Sequence, residues 1–176
     1  PLHAALRELD ALKLPTIAAV QGAAAGAGFS LAMACDLCIA ADDAVFTMAY
    51  SRIGASPDAS GTYRLPRLLG ERRALALALL AEPVKAEEAL GLGLVNRVVP
   101  AARLGEEAMA LARRLADGPT TAYARIKHLI GRSLANDLSG QLGLEREAFL
   151  AGTRTADFAE GARAFLAKRP PRFEGR

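Results

Sequence analysis

The stretch Leu14-Pro-Thr-Ile-Ala-Ala-Val-Gln-Gly-Ala-Ala-Ala-Gly-Ala-Gly-Phe-Ser-Leu-Ala-Met-Ala-Cys-Asp36 carries no charge before its last residue. Residues 16–20 form a short apolar run that ends at Gln21-Gly22, which predicts a buried strand entering a loop. Residues 22–28 have almost no side-chain bulk, and residues 29–34 resume apolar helical packing. The order is strand, glycine-rich loop, helix start. A helix beginning there presents free backbone N–H groups and the positive end of its dipole, which favours negative charge. The stretch is long enough to raise a membrane question, but Pro15, Gln21, Gly22, Gly26, Gly28 and its many alanines make it weakly hydrophobic. It reads as core, not as a membrane span.

Several chemistries compete for such a loop. A dinucleotide fingerprint needs a third glycine, and Gly26-Ala-Gly28 is followed by Leu31 in that place. A P-loop needs Gly-Lys-Ser/Thr, and no lysine occurs between Lys13 and Lys85. Gly28-Phe-Ser30-Leu-Ala32 imitates a nucleophile elbow, yet Ser30 lies well past the strand end at Val20, so Ser30 is read as structural. An oxyanion hole survives, with the amides near Ala27 and Gly28 facing a carbonyl oxygen that gains charge. Tight packing of helix on strand explains the same small residues, and spacing alone leaves the two open.

Outward from this stretch, leucines at helical spacing predict an amphipathic helix over residues 2–13, stopped by Pro15. Strands are expected at 37–41 and 45–48, with loops at 42–43 and 55–61 and a helix starting near Ala59. Beyond Gly70 the pattern is helical at 72–80, 86–90, 101–116, 120–134, 138–150 and 156–168, interrupted by a strand at 94–99. The expected division is a mixed α/β part, residues 1–100, and a helical part, residues 101–176.

Composition agrees with a globular α/β chain. Of 176 residues 52% are hydrophobic and 39 are alanine, with no tryptophan, which excludes disorder and disfavours an aromatic-rich sandwich. The net charge of +3 is a property of the tail: residues 163–176 carry five basic side chains against Glu174. A uniformly basic nucleic-acid surface is excluded, and the interleaved aromatics of a stacking platform are missing. Cys35 and Cys38 cannot build a disulfide framework, and their spacing lacks a second pair, so no metal is expected and a reducing, cytoplasmic setting fits. Arg7, Glu8, Asp10 and Lys13 near the start argue against a signal peptide.

The opening stretch, together with Ile39-Ala-Ala-Asp-Asp-Ala-Val-Phe46 and Gly91-Leu-Gly-Leu-Val-Asn-Arg-Val-Val-Pro100, resembles the crotonase superfamily, the enoyl-CoA hydratase/isomerase family. The resemblance implies a ClpP/crotonase-like ββα-spiral core with a helical C-terminal trimerisation region, and a chain that corresponds to the C-terminal two thirds of a family member. It implies an acyl-CoA thioester as substrate, no cofactor beyond that coenzyme A, and homotrimers or hexamers, with no nucleic-acid or membrane partner. One oxyanion donor would be the Ala27 amide, flanked by Gly26 and Gly28; the second donor and much of the CoA pocket would lie upstream. The Clp-type peptidases of the same fold place a serine near the loop tip with a histidine base. Here the tip is Ala25-Gly-Ala27, and no histidine follows before His128.

Hydratases of the family flank the acyl group with two glutamates, and the matching positions hold Ser30 and Tyr50. Neither activates water unaided. In Ile53-Gly-Ala-Ser-Pro-Asp-Ala-Ser-Gly-Thr62, which resembles the phenylacetate-pathway and enoyl-CoA isomerase branch, Asp58 is the candidate catalytic carboxylate; as a plain structural residue it would cap the helix that follows. The resemblance therefore implies an isomerase working through one Asp base, with an enoyl-CoA hydratase or a non-catalytic acyl-CoA-binding paralogue as alternatives. Tyr50 would line the acyl pocket. Phe165 and Lys168, in Ala162-Arg-Ala-Phe-Leu-Ala-Lys-Arg169, are similar to a terminal helix that meets CoA.

Overall fold

The computed structural model describes residues Pro1–Arg176. After α1 (Leu2–Ala11), the chain runs through β1 (Ile17–Val20), β2 (Ala23–Ala25) and α2 (Ala27–Ala34), then repeats that order in β3 (Leu37–Ala41), β4 (Val45–Thr47) and α3 (Gly61–Leu69). β1 pairs in parallel with β3, Ile17 opposite Leu37, and β2 pairs in parallel with β4, Ala23 opposite Val45. Each turn therefore lays one strand in each of two sheets and returns through a helix, because parallel neighbours need a crossover. That is a ββα spiral. α4 (Glu71–Leu80) follows, β5 (Val84–Lys85) pairs antiparallel with β4, and after α5 (Ala86–Leu92) β6 (Arg97–Val99) closes the order β1-β3-β6.

The register of the first sheet is set at its end by side chains. Asp36 Oδ2 accepts from the amide and the hydroxyl of Thr16, both at 2.7 Å, while the Asp36 amide donates to Thr16 Oγ1 at 3.0 Å. At the other edge the Cys38 amide donates to Asn96 Oδ1 and the Asn96 amide to the Cys38 carbonyl. Asn96 thus serves β3 as a strand neighbour without being in one. This explains why only Arg97–Val99 is strand where sequence predicts 94–99: Gly93, at φ +79°, ends α5, and the chain needs residues 94–96 to return to the sheet.

β2 lies inside the segment expected to be a loop. Its alanines have weak strand propensity, but Ala24 is buried and the pairing with β4 outweighs that preference. The core of this part is built around Phe29 and Phe46, whose rings stand 5.3 Å apart, with Ile39, Met48 and Leu65. Ala40, Ala41 and Ala44 are wholly buried between them, which lets β3 approach its neighbours closely.

The chain forms two compact units, Pro1–Ala11 with Thr16–Ala110, and Leu12–Pro15 with Leu111–Arg176. α6 (Leu104–Ala116) crosses from one to the other. In the second unit α7 (Thr120–Ser133) packs on α8 (Leu138–Gly152), and Asp137 caps α8 by accepting from the Gly140 amide. α9 (Ala156–Leu166) is tied to the C-terminal tail through Asp157. That buried carboxylate accepts from the amides of Glu174 and Gly175 at 2.7 and 3.0 Å, and the Asp157 amide donates to the Arg176 carbonyl. Glu160 adds Arg169 and the Arg172 amide, which hold its carboxyl down at about 2. No helix is long and apolar enough to cross a membrane.

Replacing Asp157 with Ala leaves both tail amides without their acceptor. Each such charge-assisted bond contributes about 1.5–3 kcal/mol, so exchange protection at Glu174 and Gly175 falls by at least about tenfold in amide hydrogen-exchange measurements.

Candidate active site

The glycine-rich turn places backbone donors at its tip. The Gly26 amide donates to the Thr47 carbonyl at 2.9 Å, fixing the turn to β4, and the Gly26 carbonyl receives the first helical bond of α2 from the Ser30 amide at 3.0 Å. Between those two bonds the amides of Ala27 and Gly28 have no upstream helical carbonyl. Both residues are exposed at the start of α2, where the helix dipole adds to the positive potential. Gly26 has φ +52° and ψ −114°, which only glycine adopts without strain.

Tyr50 opens a 3₁₀ turn, Tyr50–Ile53, straight after β4. Its ring lies 3.5 Å from where a side chain on Gly26 would begin, so the turn tip and Tyr50 are brought together. Ser30 is wholly buried on α2, and its hydroxyl sits against Gly61, at the start of α3, beside Met48 and Pro57. Neither the Ser30 nor the Tyr50 hydroxyl has a hydrogen-bond partner. Where two carboxylates are expected in a hydratase, two unpaired hydroxyls stand.

Asp58 stands apart from that pair. Ala59 and Ser60 both adopt left-handed φ, +53° and +68°, and this bend swings the chain so that Asp58 faces α1. Its Oδ1 accepts from the Ala59 amide at 2.6 Å and from His3 Nε2 at 2.7 Å. These bonds, that of His3 first and that of Ala59 second, hold the carboxyl below its ordinary value. The carboxylate opens onto a cleft of ≈ 270 Å³ with His3, Leu6, Arg7, Pro57, Ser60 and Thr62 around it. Ala27, Gly26 and Tyr50 do not line this cleft. The link between the two places runs through Ser30 and Gly61, where α2 packs on α3.

Asp58 is not a helix cap. The N-cap of α3 is Ser60, which makes no side-chain cap bond, and the Asp58 carboxylate reaches only the amide next to it. The two left-handed residues push the helix start to Gly61, beyond the reach of a cap from position 58. His3 and Arg7 are the neighbours that sequence reasoning missed: on α1 they read as the solvated side of an amphipathic helix, and nothing local signals a partner so distant in sequence.

Phe165 and Lys168 belong to the second unit. Phe165 is 84% exposed at the end of α9, and Lys168 has φ +52° in the turn after it. A larger cleft of ≈ 620 Å³ in this unit is lined by Asp157, Glu160, Arg163, Arg169 and Arg172, but these charges serve the tail contacts already described. No cluster of three His, Cys, Asp or Glu side chains is assembled. The Cys38 thiol is pushed up to about 11 by burial and then by Cys35, so it is no nucleophile.

The family model for enoyl-CoA hydratase/isomerase matches residues 1–176. The chain belongs to the enoyl-CoA hydratase/isomerase family. Its spiral is the crotonase fold: an enoyl-CoA hydratase structure from Polaromonas sp. JS666 superposes with a TM-score of 0.95 at 43% identity, covering 98% of this chain and 67% of that one. A Rhodobacter capsulatus protein named "Probable enoyl-CoA hydratase" is 47% identical over 97% of this chain and 66% of its own length. The 1,2-epoxyphenylacetyl-CoA isomerase of Escherichia coli is 46% identical over 97% of this chain and 65% of its own length. The chain thus spans about two thirds of those two relatives, as the quoted motifs imply.

The unpaired Ser30 hydroxyl gives a direct test of packing at the site. Burying a polar group without a partner costs about 1–3 kcal/mol, so Ser30→Ala leaves stability unchanged or raises the thermal midpoint. Gly61→Ala does the reverse, because its new methyl would lie 2.7 Å from both Ser30 Oγ and Met48 Cε. It lowers stability by about 1–3 kcal/mol in denaturant unfolding.

Proposed function

We propose that the protein isomerises an enoyl-CoA, moving a double bond or making a related rearrangement, with Asp58 as its single base. What supports this reading is that Ser30 and Tyr50, at the positions the resemblance assigns to the hydratase glutamates, carry no carboxylate, while Asp58 is the one acidic side chain around its cleft. The thioester oxygen would accept from the Ala27 amide and from a second donor upstream. Asp58 takes a proton from the acyl chain, the electron pair delocalises into the thioester as a dienolate, and the same carboxylate returns the proton two carbons away. Substrate and product have the same atoms. The amides stabilise the dienolate more than the neutral thioester, which is why they accelerate the reaction.

Gly26, Gly28 and Tyr50 shape the acyl side of this site in the proposal, with Ser30 buried behind them where α2 packs on α3, and Phe165 and Lys168 meet coenzyme A. No cofactor is needed beyond the CoA of the substrate. Residues 1–100 supply the core of the site and residues 101–176 the helical region through which three or six copies assemble. Exposed Ile130, Leu134, Leu138 and Phe165 support that assembly, since it would cover them. A cytoplasmic setting fits two cysteines that form no disulfide. The name of the Rhodobacter relative favours hydration as the second reading.

Asp58→Asn in the full-length protein decides the base. Isomerisation of 2-enoyl- and 3-enoyl-CoA falls at least about 10³-fold while binding of the thioester persists; an active variant removes Asp58 from the chemistry. Mass separates the two reactions, since an isomerase leaves it unchanged and a hydratase adds one water. Ala27→Pro tests the oxyanion donor, because proline is accepted at the first position of a helix but has no N–H. Helix content is kept and kcat falls about 10²–10³-fold.

A further inference from the structure

The two oxygens of Asp58 are not equivalent. Oδ1 receives both hydrogen bonds, one from the Ala59 amide at 2.6 Å and one from His3 Nε2 at 2.7 Å, while Oδ2 receives none. A carboxylate only accepts, so Nε2 of His3 carries the hydrogen in this contact. The donor comes from α1, and α1 is anchored to the same region a second time. Asp10 of α1 pairs with Arg64 of α3 at 2.5 Å, so a hydrogen bond and an ion pair hold the helix across the bend at 58–60. The titratable and charged groups around the Asp58 carboxylate are His3 and Arg7 from α1; Arg64, on α3, is committed to Asp10.

Resting on the reading of Asp58 as the base, we infer that His3 is a positioning residue for this carboxylate. It holds Oδ1 and so leaves Oδ2 as the oxygen that takes and returns the substrate proton. A base that must reach two carbons needs a fixed pivot and a free oxygen, and a carboxylate clamped through one atom supplies both. The Ala59 amide belongs to the adjoining residue and moves with the bend, so it alone restrains Oδ1 weakly; a second donor from another element holds Oδ1 against α1 and so fixes the rotation about the Cβ–Cγ bond. His3 also supplies the larger part of the downward pull on the carboxyl. Asp58 therefore stays ionised, ready to accept, at any pH above the ordinary aspartate range.

The sign of the pH effect follows. The reaction needs the ionised carboxylate, so the rate is constant at neutral pH and falls as pH drops through the Asp58 pKa. Removing His3 raises that pKa and moves the acidic limb to higher pH. The test uses the full-length protein and three variants, His3→Ala, His3→Gln and Asp58→Asn, with kcat and KM for an enoyl-CoA measured from pH 4 to 8. His3 is exposed, so thermal midpoints stay within a few degrees. His3→Ala is expected to lower kcat about tenfold with KM unchanged and to shift the acidic limb upward, and His3→Gln, whose amide also donates, to recover most of kcat. A His3→Ala profile that superimposes on the wild type, or one lowered without a shifted limb, overturns the inference while an inactive Asp58→Asn leaves the base in place. An active Asp58→Asn overturns the base itself.

Discussion

Gly26 holds a backbone conformation that a Cβ would strain, and the elements on both sides take their positions from it. Its amide is bound to the carbonyl of Thr47 in the neighbouring strand, its carbonyl starts α2, and the abrupt change of direction between the two leaves the next two residues exposed, their amides without an upstream helical carbonyl. A residue with a side chain would meet the Tyr50 ring as well as the strain. The exposed donors are thus a by-product of how strand and helix are joined. The fold tolerates them because an exposed amide can bond solvent, unlike the amides of a buried turn.

Small side chains make the rest of the spiral possible. Two sheets and the helices between them leave little room, and alanine fills it: Ala40, Ala41, Ala44 and Ala89 are at or near complete burial, and Phe29, Phe46 and Met48 occupy the remaining volume. Burying alanine contributes less than burying leucine, but it costs no rotamer freedom and permits close approach of backbones. The same closeness explains the buried Ser30 hydroxyl without a partner. At that point α2 and α3 pack against each other through Gly61, and a glutamate would not fit without moving one of them.

Most of the elements were legible in the sequence because they are bounded by local signals. β3 runs from Leu37 to Ala41 as expected, since an apolar run between Asp36 and Asp42 has no other reading, and α7 and α9 begin where the periodicity places them. β2 was not legible, because three alanines carry no period and only the partner strand makes them one. The bend at Ala59 and Ser60 was not legible either: neither residue favours left-handed φ, and tertiary packing imposes it. At the candidate site, the exposed amides at Ala27 follow from the glycines, whereas Asp58 is singled out only by its resemblance to a motif. His3 could not be found, because its relation to Asp58 exists only once α1 is folded against the loop before α3.

In the proposed reaction Asp58 alone would do the work that a pair of carboxylates shares. A pair of glutamates divides the work, one holding a proton and the other lacking it, and their mutual repulsion sets the two states apart. A single aspartate must start ionised, become protonated midway and end ionised again. Donors to Oδ1 favour its first and last states and oppose the middle one, so they weaken it as a base. In the proposed reaction two features would offset that cost. Stabilising the dienolate at the Ala27 amide would lower the energy of the same intermediate in which Asp58 is protonated, and the half-exposed position of the carboxyl softens the penalty. On that proposal the donor that orients the base and the donor that receives the negative charge would be coupled through one intermediate, although they sit on different elements.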